Sequence, residues 1–170
     1  MTARAVLPLL RGPGDADQVD NPTGGAITYW ARGEETGGAL TFLESVAASG
    51  EGPPLHVHVS DDEFIYVLEG ALRISLAGVV REAPAGSFVF IPKGVRHTWQ
   101  NRGDRAARLL AGFTPAAPGM ERFFQQAAEL PPASRLVEGF RRFAGDAGIE
   151  VIGPPLAQIL DDTRSSASPK

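Results

Sequence analysis

The stretch "GEGPPLHVHVSDDEFIYVLEG", residues 50–70, holds two of the chain's three histidines and three consecutive carboxylates. Side chains in a strand alternate between faces, so His56 and His58 point the same way with Val57 opposed. Two imidazoles then stand side by side, a pair suited to one metal ion. The preceding "GEGPP" keeps the approach stiff and free of bulk. A carboxylate from the following strand completes part of such a site, with Asp61, Asp62 and Glu63 as candidates. Glu63, Ile65 and Val67 share one face of that strand; Asp62, Phe64, Tyr66 and Leu68 share the other. Both faces carry apolar residues, so parity alone leaves open which one is inside. Two apolar faces fit a strand buried in a barrel on one side and against a partner or helix on the other.

The third histidine lies in "GSFVFIPKGVRHTWQN", residues 86–101, which reads as a strand, a Pro-Lys-Gly turn and a new strand carrying His97. Gly86, Pro92 and Gly94 suit tight reversals. Working outward, "AITYWA" (26–31), "ALTFLESVA" (39–47), "ALRISLAG" (71–78) and "ARLLAGF" (107–113) are further β-type runs. Turn signals recur about every ten residues, the mark of an all-β sandwich or barrel. The pattern changes after residue 113. In "GMERFFQQAAEL" Met120, Phe123, Phe124 and Ala127 fall at helical spacing, and Leu136, Val137, Phe140 and Phe143 form a second stripe. These helices are expected to pack on the outside of the β unit, with "GIEVIGPPL" a final extended piece. The expected organisation is an extended arm over 1–25, a β-barrel over 26–113, helices packing on it over 114–160, and a disordered tail over 161–170.

Composition narrows the function classes. The net charge of −4 argues against a nucleic-acid footprint, which normally shows as a basic patch. The absence of cysteine excludes disulfides, thiolate ligands and cysteine nucleophiles. The apolar run "VLPLL" near the start is too short for a signal segment and far too short to span a bilayer. The expected address is the cytoplasm, with no membrane partner.

The two histidine-bearing stretches resemble the cupin superfamily. Residues 50–70 match its first motif, G-x5-H-x-H-x4-E-x6-G, and residues 86–101 its second, G-x5-P-x-G-x2-H-x3-N, at every fixed position. All three histidines fall on motif positions. The resemblance implies a cupin, jelly-roll double-stranded β-barrel with a short C-terminal helical appendage. It implies His56, His58, Glu63 and His97 as metal ligands, although the family's variable spacing also admits Asp62. Gly50, Gly70, Gly86, Pro92, Gly94 and Asn101 become architectural. One divalent transition metal (Fe, Ni, Mn, Cu or Zn) is expected, since affinity order alone does not select among them for such a donor set.

The post-barrel "ERFF" helix and the "GIEVIGPPL" segment are similar to small quercetin dioxygenase-like cupins. That likeness implies a metal-dependent dioxygenase acting with dioxygen on a small aromatic, flavonol-like substrate, with Glu63 as catalytic base. Alternatives are a non-redox isomerase, epimerase or cyclase, and a non-catalytic small-molecule-binding cupin. Phe42, Ile65, Phe88, Phe90, Trp99 and Leu110, all on candidate strands, are expected to line the substrate pocket. Lys93 and Arg96 flank the His97 turn and read as exposed turn charges. Tyr29 and Trp30 are expected to be buried in core or interface. The apolar outer sheet face points to a homodimer.

Overall fold

The computed structural model describes residues 6–166. Eleven strands and three α-helices order these described residues: β1 Asp17–Asp20, β2 Ala26–Ala31, β3 Thr41–Ala47, β4 Pro54–His58, β5 Asp62–Glu69, β6 Ala71–Leu76, β7 Val79–Pro84, β8 Phe88–Ile91, β9 His97–Asn101, β10 Ala107–Thr114, α1 Pro118–Ala128, α2 Arg135–Phe143, β11 Ile149–Pro155 and α3 Leu156–Ser166. The strands form two antiparallel sheets, one ordered β1-β2-β3-β10-β5-β8 and the other β11-β4-β9-β6-β7. This is the expected all-β jelly roll.

Alternation decides what each strand buries. In β5, Glu63, Ile65 and Val67 point inward while Phe64 and Tyr66 point out, which settles the parity that the sequence leaves open. Leu43, Ile65, Val67, Leu72, Ile74, Ile91 and Leu109 are each at most 2 % exposed and form the shared core of both sheets. Complete burial of one such side chain contributes about 1.5–3 kcal/mol.

The two motif stretches are tied to each other by backbone. Gly50 N–H donates to Asn101 O (3.0 Å), and Asn101 N–H donates to Glu51 O (2.9 Å). The buried Asn101 amide donates to the carbonyls of Ala47, Ala48 and Arg105 and accepts from Gly103 N–H. Gly94, at φ 80°, lets the Pro-Lys-Gly turn reverse sharply, and its N–H donates to His58 O at 2.8 Å. The turn before His97 is thereby fastened to the strand that carries the other two histidines.

The ends of the chain differ from the sequence reading. Part of the expected N-terminal arm is β1, an edge strand whose Asp17 and Asp20 pair with Tyr29 and Ala26 of β2. The helices do not pack merely on the outside: Met120, Phe123 and Phe124 of α1 and Phe140 of α2 enter the wall of an interior cavity. β11 joins the second sheet beside β4, pairing Val151 with His56 and Ile149 with His58. The stretch expected to begin a disordered tail is helical through Ser166, because Leu156, Ile159 and Leu160 repeat at helical spacing and Leu156 is buried. Residues 167–170 of that tail lie outside the described residues.

Candidate metal centre

His56 and His58 come from β4, Glu63 from β5 and His97 from the first position of β9. His56 pairs directly with His97 across β4 and β9. All four side chains are buried, and one ligand atom from each lies within 4.8 Å of those of the other three. Imidazole centroids stand 4.2 Å apart for His56 and His97, 5.2 Å for His56 and His58, and 5.5 Å for His58 and His97.

The second nitrogen of each ring explains its orientation. His56 Nδ1 lies 2.8 Å from Pro54 O, His97 Nδ1 2.9 Å from Val95 O, and His58 Nδ1 2.9 Å from Asp61 Oδ2. Carbonyls and carboxylates only accept, so these contacts put the proton on Nδ1 and leave a lone pair on each Nε2. Glu63 Oε2 sits 2.9 Å from His97 Nε2 and 3.5 Å from His58 Nε2. A carboxylate facing imidazole lone pairs at these distances needs a proton or a cation between them. Three imidazoles and one carboxylate suit a divalent transition metal, so the residues present fit the ion that the motifs imply.

Electrostatics agree with that fit. Burial, reinforced by the neighbouring His97 and His58, pushes His56 down to about 3. Burial would raise Glu63, but the hydrogen bond and charge of His97, with His58 and His56 behind, bring it down to about 2. His97 moves the other way: burial, the largest single influence, lowers it, but the hydrogen bond and charge of Glu63, with the contact to Val95 O, together raise it. The cluster therefore holds an ionised carboxylate and at least one neutral imidazole at neutral pH, both ready to ligate.

The three neighbouring carboxylates have separate tasks. Glu63 enters the cluster. Asp61, buried behind β4, holds His58 and accepts from Ser60 Oγ at 2.8 Å. Asp62 faces away and accepts from Lys93 N–H at 2.9 Å, fixing the turn before His97.

Beside the cluster lies a cavity of about 70 Å³, lined by His56, His58, Glu63, Ile65, Trp99 and Phe113 together with α1 and α2 side chains. The Phe113 and Phe140 rings approach His58 and His56 at 5.3 and 6.0 Å.

The Cupin_2 family model, described as a cupin domain, matches residues 42–113, the segment bearing all four clustered side chains. The chain carries a cupin domain. Among curated relatives, polyketide synthase CurC of Streptomyces cyaneus is 35 % identical over 74 residues, 44 % of this chain and 48 % of CurC. Quercetin 2,3-dioxygenase of Bacillus subtilis is 32 % identical over 78 residues, 46 % of this chain and 23 % of that enzyme. The chain spans about half the length of the first curated relatives it matches. The structure of KdgF from Halomonas sp. superposes with a TM-score of 0.57 at 20 % identity, covering 67 % of this chain and 99 % of KdgF, a likeness of fold.

Within this cupin domain the expected pocket residues divide. Ile65 and Trp99 line the cavity. Phe42, Phe88, Phe90 and Leu110 do not, and their place in the pocket is corrected: each sits on the outer face of the first sheet, one residue out of phase with the inward positions of its strand. Lys93 and Arg96 are exposed and outside the cavity wall. Tyr29 is core, with its hydroxyl donating to Glu121 O at 3.2 Å. The sequence reading passed over Phe113, which shares the inward parity of Leu109 and Ala111, and the Asn21–Thr23 segment, for which no sequence pattern exists.

Proposed function

We propose that this cupin protein holds one divalent transition metal through His56, His58, Glu63 and His97 and acts on a small, mostly apolar molecule that chelates through oxygen. The observation that carries the reading is the convergence of four buried donors, three of which (His56, His58 and Glu63) stand in the wall of a largely apolar cavity. A bound ion in this donor set would acidify a chelating hydroxyl and, if redox-active, support its oxidation by dioxygen. Glu63 borders the cavity, so its carboxylate is the group to accept the hydroxyl proton. Phe113 and Trp99 seat an apolar ring, and Phe140 closes the cavity off from the surface groove.

Dioxygenation of an aromatic substrate is the leading reaction class, supported by the match to quercetin 2,3-dioxygenase. The match to a polyketide synthase protein favours a second reading, proton-transfer chemistry such as ring closure or isomerisation of a polyketide-like substrate without redox change. The cavity bears on substrate size. Sites for drug-sized ligands span about 300–1,000 Å³, against about 70 Å³ here, so a single-ring molecule fits more readily than a flavonol.

Phe140 and Ile149 also line an open surface groove of about 490 Å³ beside α2 and β11. They divide the groove from the cavity, and larger substrates would enter past Phe140. A second copy of the chain is proposed to cover the aromatic outer face of the first sheet.

The deciding experiment is metal analysis of the purified protein, followed by oxygen-electrode assays with catechols and flavonols after reconstitution with each candidate ion. Oxygen uptake supports dioxygenation. Substrate conversion without uptake supports the second reading, and failure of any ion to bind removes both.

A further inference from the structure

The cavity has a second polar group in its wall, supplied by the β1–β2 connection and by β3. Asn21, Thr23 and Ser45 line it and are 4, 5 and 7 % exposed. Asn21 is fully employed: Nδ2 donates to Ser45 Oγ and to Val46 O, each at 2.8 Å, and Oδ1 accepts from Thr23 N–H at 3.0 Å. Thr23 O accepts from Ala48 N–H at 3.0 Å. The Thr23 backbone is thus held through both its N–H and its carbonyl. Thr23 Oγ1 nonetheless has none, and it is the single such buried side-chain atom among the described residues. An unpaired buried hydroxyl lowers stability, and a valine of the same shape would avoid that loss. Ser45 Oγ accepts from Asn21, which leaves its own proton to donate.

Strand register separates this group from the metal cluster. Ser45 is level with Leu109 on β10, whereas Glu63 is level with Phe113. Four residues of strand correspond to roughly 13 Å at about 3.3 Å per residue. The rest of the wall includes Ile27, Leu43, Ile65 and Leu109, which offer no hydrogen bonds from their side chains.

We infer that Thr23 and Ser45 form a distal subsite that hydrogen-bonds a hydroxyl or carbonyl oxygen of the ligand whose other end chelates at the histidine–glutamate centre. The inference rests on the metal-centre reading and deepens it: the ligand has oxygen at both ends and an apolar middle. A site built to bond a hydroxyl discriminates strongly against the analogue lacking it, because the protein's own buried group is then left unpaired.

The test uses the full chain loaded with nickel(II) and two matched probe pairs of different reach. These are 4-ethylcatechol with 4-(2-hydroxyethyl)catechol, and 3-hydroxyflavone with 3,4′-dihydroxyflavone. Affinities are read by calorimetric titration under argon. In at least one pair the hydroxylated member should bind about ten-fold or more tightly. Thr23→Val should abolish most of that preference, and Thr23→Ser should retain it. The melting temperature of metal-free Thr23→Val should equal or exceed that of the wild type. Equal binding within both pairs by the wild type overturns the inference without recourse to any variant. So does a preference that survives Thr23→Val. Equal weakening of both members together with a lower melting temperature assigns the hydroxyl to packing or to a bound water and likewise overturns it. If 4-ethylcatechol and 3-hydroxyflavone both fail to bind the nickel-loaded protein, the metal-centre reading itself falls, and this failure is distinct from the others.

Discussion

His58 Nδ1 and Asp61 Oδ2 stand 2.9 Å apart, and both side chains are buried. The carboxylate cannot reach the cluster and hold His58 at once; it fixes the ring so that Nε2 turns toward Glu63. Partners of this kind set tautomer and ring orientation, and their loss costs about 10–100-fold in metal affinity. Asp61→Ala is expected to show a loss in that range in competition titrations against a coloured chelator. Asp61→Asn should lose less, because its amide oxygen still accepts the Nδ1 proton. Full affinity in Asp61→Ala would show that Asp61 plays no part in orienting the ring.

Acid should destabilise the metal-free protein and expel the metal from the loaded one. His56 is pushed down to about 3 from an ordinary 6.5, so between these values the unfolded chain binds more protons and unfolding is favoured as pH falls. The slope from this residue approaches about 1.4 kcal/mol per pH unit. Glu63 is lowered; its contribution is present above about 4.5 and fades as pH drops towards 2. His97 is raised; its contribution is full below 6.5 and disappears as pH climbs through the raised value. Since His97 must give up that proton to ligate, the rise in melting temperature on adding metal should grow from pH 5 to pH 8. Thermal melts with and without metal across this range measure it. A rise that is flat or falls with pH would contradict the assigned role of His97.

What the sequence shows and what it hides divides along physical lines. Strand alternation puts His56 and His58 on one face; the choice of Glu63 and His97 as their partners comes from the family resemblance of the two glycine-bounded motifs, which still admits Asp62. The outward phase of Phe42, Phe88, Phe90 and Leu110 is hidden because both faces of their strands are apolar; only pairing in three dimensions tells inside from outside. The α1 and α2 side chains read as a helix stripe, and the stripe does not say that its target is the metal cavity rather than the barrel's exterior. Thr23 is invisible in sequence. Its significance is a missing hydrogen bond, which exists only once the neighbours are in place.

The outer face of the first sheet carries two aromatic rows across the strands. Phe42, Gly112, Phe64 and Phe90 are successive cross-strand neighbours, as are Leu110, Tyr66 and Phe88. A Cβ on Gly112 would meet the Phe64 ring at 2.4 Å, so the glycine lets that ring lie flat over β10 and stack with Phe42 at 6.2 Å. Phe88 and Phe90, on the edge strand, are 64 and 50 % exposed. A contiguous aromatic patch of this kind marks an association surface, and self-association places the same patch against itself about a two-fold axis. The wild type is expected to be a dimer by light scattering, and Phe88→Glu/Phe90→Glu a folded monomer. A monomeric wild type would remove the second copy as the partner of this face.

Phe140 stands between the metal cavity and the surface groove, with its ring 6.0 Å from His56 and 4.9 Å from Phe123. Phe140→Ala removes the partition, so cavity and groove become continuous along Ile149. Bulky chelators such as 3-hydroxyflavone should then bind the metal-loaded protein more tightly and faster, while 4-ethylcatechol gains little because it already fits. The half-buried ring also packs against α1, so its loss should lower stability by about 1–3 kcal/mol, short of the larger cost at a fully enclosed site. Stopped-flow binding of the two chelators, beside a denaturant melt, separates these effects. Slower or weaker binding of the flavone by a folded variant would mean that Phe140 forms part of the ligand's seat and that ligands reach the metal by another path.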